Sequence, residues 1–252
     1  MPVPVLGPAA SLAILALAPA VAAAAPATFA PPATVGTTGA NRQAVAIGDL
    51  NGDGRPDIAA VNFGGNSVTV LTKNATGDGY TATPIGGTGT SPASVAIGDL
   101  NGDGRPDIAT ADSNADSVTV LTKNPTGDDY TATPAGPTGS IPLSLAIGDL
   151  NGDGRPDIAT ANVIGNSVTV LTKDPTGDGY TATTAGTTGE GPVSVAIGDL
   201  NGDGRPDIAT ADSGDRSVTV LTKDPTGDGY TATTAGTTGD GPSSVAIGDL
   251  NG

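Results

Sequence analysis

The chain has no cysteine, no histidine and no tryptophan among its 252 residues. Without cysteine there are no disulfides and no thiol nucleophile; without histidine there is no imidazole acid or base, and the usual zinc sites fall away with both. Aromatics are 2% of the residues, so the core must be built from Val, Ile, Leu and Ala. Positive charge is scarce as well: 10 Lys and Arg stand against 26 Asp and Glu, a formal charge of -16. With no basic run anywhere, nucleic acid and anionic membrane surfaces are poor partners, and cations are the natural ones.

Long apolar runs are missing after the N-terminus. The one such stretch, from Ser11 to Ala25, is too short and too interrupted by Pro to span a bilayer, so no membrane insertion is expected. It reads as the apolar part of an export signal over residues 1–24, with Ala22 and Ala24 at the small-residue positions before the cut. Its flank is atypical, because the first basic residue is Arg42. Residues 25–252 would then be the mature chain, in a secreted, extracellular or cell-surface location.

What the sequence has in abundance is repetition. The nonapeptide D-L-N-G-D-G-R-P-D begins at Asp49, returns unchanged at Asp99, Asp149 and Asp199, and starts again at Asp249. A fixed period of 50 residues means that one supersecondary unit is copied side by side. Within a period, Ser94–Gly98, Ile108–Ala111, Ser117–Lys123 and Tyr130–Thr133 alternate apolar and polar residues or are rich in Val and Thr, which predicts four strands. The segment Asn124–Asp129, with its Pro and Gly, predicts a hairpin turn between the last two. No helical periodicity follows the leader. Four short antiparallel strands per repeat predict an all-β fold, a β-propeller of four-stranded blades, incomplete at about four and a half blades. Thr28–Gly39 aligns with the fourth strand of a unit and Ser244–Ile247 with the first, so a piece of a longer array, or of a truncated reading frame, is expected.

The nonapeptide carries its own chemistry. Calcium takes six to eight oxygens, and a short loop supplies them when alternate residues point inward. The expected ligands are Asp49, Asn51, Asp53 and Asp57 through side chains, with Arg55 through its backbone carbonyl. The same roles fall to Asp99, Asn101, Asp103, Arg105 and Asp107; to Asp149, Asn151, Asp153, Arg155 and Asp157; and to Asp199, Asn201, Asp203, Arg205 and Asp207. The fifth loop retains Asp249 and Asn251. Three carboxylates within nine residues repel one another unless a cation sits among them. An EF-hand opens in the same way but needs an acidic residue at position 12, where this chain has Ala60, Thr110, Thr160 or Thr210.

The run S-V-A-I-G-D-L-N-G-D-G-R-P-D-I-A-T-A, followed by S-V-T-V-L-T-K and T-G-D-G-Y, resembles the FG-GAP-like (VCBS-type) repeats of integrin α-subunit propellers and many secreted bacterial proteins. The resemblance covers about residues 28–252, and it implies a calcium ion between the two inner strands of each blade. The Phe-Gly and Gly-Ala-Pro signatures of the integrin version are missing, with Ala59-Ala60-Val61 or Ala109-Thr110-Ala111 in the place of the second, so integrin-type ligand recognition does not carry over.

Other recurrent residues have plainer roles. Tyr80, Tyr130, Tyr180 and Tyr230 are expected to pack between blades, and Lys73, Lys123, Lys173 and Lys223 to shield strand edges. The segments 62–66, 112–116, 162–166 and 212–216 differ most among the copies and are the candidates for partner contacts. The function expected is a non-enzymatic, secreted calcium-binding scaffold for adhesion, or for recognition of an extracellular protein or glycan. The alternative is an accessory propeller domain of a secreted hydrolase or lyase.

Overall fold

The computed structural model describes residues 42–76, 79–227 and 229–249. The export signal at 1–24, the strand expected at Thr28–Gly39, and Asn251 lie outside them. Among the described residues, sixteen strands form four separate antiparallel sheets, each with its strands in chain order. The first sheet is β1 (Arg42–Gly48), β2 (Asp57–Asn62), β3 (Ser67–Lys73) and β4 (Tyr80–Gly86). The second is β5 (Pro92–Gly98), β6 (Asp107–Asp112), β7 (Ser117–Lys123) and β8 (Tyr130–Pro137). The third is β9 (Pro142–Gly148), β10 (Asp157–Asn162), β11 (Ser167–Lys173) and β12 (Tyr180–Thr187). The fourth is β13 (Pro192–Gly198), β14 (Asp207–Asp212), β15 (Ser217–Lys223) and β16 (Tyr230–Thr237).

Each sheet is one blade, and its turns set its register. Gly98 pairs with Asp107, so the acidic nonapeptide is the hairpin loop between first and second strands. Asp112 pairs with Ser117 across a four-residue loop at the opposite end, and Lys123 pairs with Tyr130 across the Pro–Gly turn. The strands exceed the sequence-based boundaries: the second gains the Asp before Ile108 and the residue after Ala111, and the fourth runs on to Pro137.

The apolar clusters lie between blades. One joins Leu50, Val61, Val68 and Val70 of the first blade to Val95, Ile108 and Leu121 of the second, and the same pattern recurs at the next two junctions. The second strand is therefore buried on both faces, Ile108 toward the preceding blade and Ala109 and Ala111 toward the following one. Small residues on one face and Ile or Leu on the other allow close stacking without aromatics. Fully burying a Leu such as Leu100 contributes about 2 kcal/mol.

The strand expected at Ser244–Ile247 is absent. Residues 242–249 form no ladder, although the Val245 amide donates to Ser194 Oγ at 3.2 Å, as Leu145 does to Ser94 and Val195 to Ser144. The segment thus takes a first strand's place on the neighbouring blade. A first strand gets its ladder from the second strand of its own blade, and none pairs with it among the described residues.

Candidate cation-binding loops

The acidic loop folds around its first carboxylate. Asp49 Oδ1 accepts the amides of Gly52 and Asp53 at 2.8 and 3.0 Å, and Oδ2 accepts that of Gly54 at 2.7 Å. Aiming three amides at one side chain requires the chain to double back, and Gly52 and Gly54 do so at φ of 78° and 80°. The Gly54 amide, foremost among these donors, holds the Asp49 carboxyl below the usual carboxylate range. Asp99, Asp149 and Asp199 make the same three bonds.

Positions 3, 5 and 7 join them. Asn51 accepts the Asp53 amide at 3.0 Å and donates its side-chain amide to Asp53 Oδ2 at 2.7 Å. Asp153 takes the Arg155 guanidinium at 2.7 Å, with the same pairing in the other three loops. That side-chain bond to Arg155 is the main reason the Asp153 carboxyl sits low.

The ninth residue is placed differently from the others. Asp57 is fully buried, with Oδ2 accepting the Leu50 amide at 3.0 Å and Oδ1 the Lys73 amide at 2.7 Å. Its carboxylate ties the loop to the end of the third strand, as Asp107, Asp157 and Asp207 do in their blades. Burial raises the Asp107 carboxyl, the Lys123 and Leu100 amides pull it back, and the charges of Asp103 and Asp99 raise it further. The three carboxylates thus feel one another, yet among the described residues no group of three stands at metal-holding spacing. In kind the donors fit a hard cation: all are oxygens, and Asp53 Oδ2 already accepts from the Asn51 amide and the Arg55 guanidinium, where an ion would compete.

Sequence reasoning missed two features. The lysines do not shield edges: Lys123, Lys173 and Lys223 are buried, each over the ring of the Tyr that opens the next strand. The tyrosines do pack between blades, Tyr130, Tyr180 and Tyr230 against the clusters shared with the preceding one. At the other end of the blade lies a buried polar knot. Asp112 accepts the hydroxyls of Thr119 and Thr110 at 2.6 and 2.9 Å, whereas Asn162, in the same place, donates to Thr169 at 3.0 Å. The seven-residue spacing from Lys to Tyr was a visible signal for the first feature; nothing local marked the second.

The FG-GAP-like repeat family matches residues 49–110, 99–160, 149–210 and 199–252. The chain belongs to that family. In FG-GAP-like terms, each of the first three matches joins one acidic loop to the second strand of the following blade. No curated protein matches in sequence. Solved structures of similar fold include a Bacteroides uniformis protein provisionally named a 6-phosphogluconolactonase, at 15% identity and TM-score 0.57, covering 80% of this chain and 56% of that one. They also include auxiliary nutrient binding proteins from Bacteroides ovatus (14%, TM-score 0.57, 84% and 55%) and Bacteroides thetaiotaomicron (15%, 0.55, 80% and 48%). At such identities the likeness is one of fold, and the chain spans about half the length of these neighbours. No helix of the described residues is long and apolar enough to cross a membrane.

Proposed function

We propose that the chain is a secreted, non-enzymatic calcium-binding scaffold whose repeats present a recognition surface for an extracellular protein or glycan. The observation that carries this reading is the acidic loop, four times identical, whose first and ninth carboxylates are held by backbone amides and whose three carboxylates act on one another through their charge. Asp49, Asn51, Asp53, the Arg55 carbonyl and the free lone pairs of Asp57 would hold the ion. Asp53 must exchange the Arg55 guanidinium for it, and Asn51 must turn its amide oxygen inward. Bound calcium supplies charge neutralisation: four ions would move the formal charge from -16 to -8. For a site of dissociation constant ~0.1–1 mM in ~1 mM calcium, each ion contributes on the order of 0.4–1.4 kcal/mol. Over four loops this is comparable with the stability margin of a small domain.

The nutrient-binding names of two structural neighbours are compatible with a binding role, and the missing His and Cys leave few catalytic devices. The test is a thermal melt with EDTA against excess calcium. Chelation should lower the melting temperature by several degrees, and an unchanged melt would remove the metal from the proposal.

A further inference from the structure

Three lysines of this acidic chain are among its most buried charged groups: Lys123, Lys173 and Lys223 are 7%, 6% and 7% exposed. Each lies 4.6–4.9 Å above a Tyr ring of its own blade. The pair also reaches the preceding blade. Tyr180 donates its hydroxyl to the Leu100 carbonyl at 3.4 Å, and Tyr230 to that of Leu150 at 3.5 Å. Leu100 and Leu150 are the second residues of the preceding acidic loops. Lys173 lines a cavity of 150 Å³ together with Asp99, Leu100 and Asn101 of that loop, and Lys223 shares another with Leu150 and Asn151. At the first junction Tyr130 packs on the cluster that contains Leu50.

The Lys173 ammonium pairs with Asp178 of its own turn at 3.9 Å, and it shares the cavity against the preceding loop with Asp99 and Arg155. Lys73 is the built-in control. It covers Tyr80 at 4.7 Å in the same way but is only half-buried, and no acidic loop stands before it among the described residues.

We propose that Lys123, Lys173 and Lys223 are resident cations of the acidic loops that begin at Asp49, Asp99 and Asp149, and that they set how tightly those loops take a divalent ion. The second half rests on the calcium reading above. With no ion present, the ammonium offsets the clustered carboxylates; with an ion present, two positive charges oppose each other across a poorly solvated gap. Calcium binding in one blade is thereby coupled to the seam with the next.

The test compares Lys173→Met with Lys73→Met in the full chain. In a calorimetric calcium titration, Lys173→Met should tighten one of the bound ions on the order of three- to ten-fold, whereas Lys73→Met and Lys173→Arg should titrate like the parent. A Lys173→Met titration that matches Lys73→Met would overturn the affinity role. In EDTA, a cycle with Asp99→Asn tests the resident charge without any metal: Lys173→Met should lower the melting temperature less in the Asp99→Asn background than in the parent. Additive losses there would sink the proposal whatever calcium does. A parent that takes up no calcium, with a non-additive cycle, would retire the calcium reading and leave the resident cation standing.

Discussion

The two ends of each blade treat buried charge in opposite ways. At the acidic-loop end the nine residues are the same in four copies, and the buried Asp57, Asp107, Asp157 and Asp207 each accept two backbone amides. At the opposite end the buried position is Asn62 or Asn162 in two blades and Asp112 or Asp212 in the others, and its partners are Ser and Thr side chains. Backbone amides cannot change with sequence, so the position that serves them tolerates no exchange of donor for acceptor. Hydroxyl groups rotate and act as either, so the other end accepts both an amide and a carboxylate. One end is a fixed device; the other is adjustable, and it carries the variable loops.

That contrast is open to test, starting where the effect is largest. Asp107→Ala leaves the Leu100 and Lys123 amides buried without an acceptor and should cost about 3 kcal/mol in urea denaturation. A loss under about 1 kcal/mol would show that water replaces the carboxylate and that the loop end is not fixed.

The adjustable end predicts the reverse sign. Burial raises the Asp112 carboxyl while the Thr119 and Thr110 hydroxyls pull it down, so the folded state holds this proton more tightly than the unfolded one. Its contribution is therefore best below the unfolded value of about 4 and worsens as pH rises through the folded one. Asp112→Asn, copying the Asn162 arrangement, should gain on the order of 1 kcal/mol at pH 7 and nothing at pH 3. An equal shift at both pH values would mean that charge is not the cause.

The smallest effect concerns Ile141, in the connection between β8 and β9. Ile141 holds φ at 55°, a left-handed conformation that strains a β-branched residue, where two sister repeats have Gly191 and Gly241. Ile141→Gly should raise stability by about 0.5 kcal/mol, the relief of strain being partly offset by lost packing and chain entropy. A clear loss in the melting temperature would show that the half-buried side chain outweighs the strain.

The loop was legible in the sequence because its geometry is local. Asp49 to Gly52, Asp53 and Gly54, and Asn51 to Asp53, all join residues within five positions. The strands were legible for the same reason, through Val–Thr alternation and turn residues, though their ends were short by one to four residues because ladder bonds extend as far as a partner does. The lysines were misread because the burial of Lys173 depends on Leu100 and its neighbours, some 70 residues away, and a Lys ending a strand is ordinarily at the surface.

By itself the sequence determined the repeat, the four-strand unit, the hairpin loops and the chemistry of their side chains, since each depends on residues that are neighbours in the chain. Only the tertiary structure decided where those side chains are spent. Strand pairing brings Asp107 to the Lys123 amide, blade stacking places Lys173 on one cavity with the preceding loop, and 242–249 lie on β13 without a ladder. These outcomes turn on desolvation, which is fixed by what packs against a group and not by what precedes it in the chain.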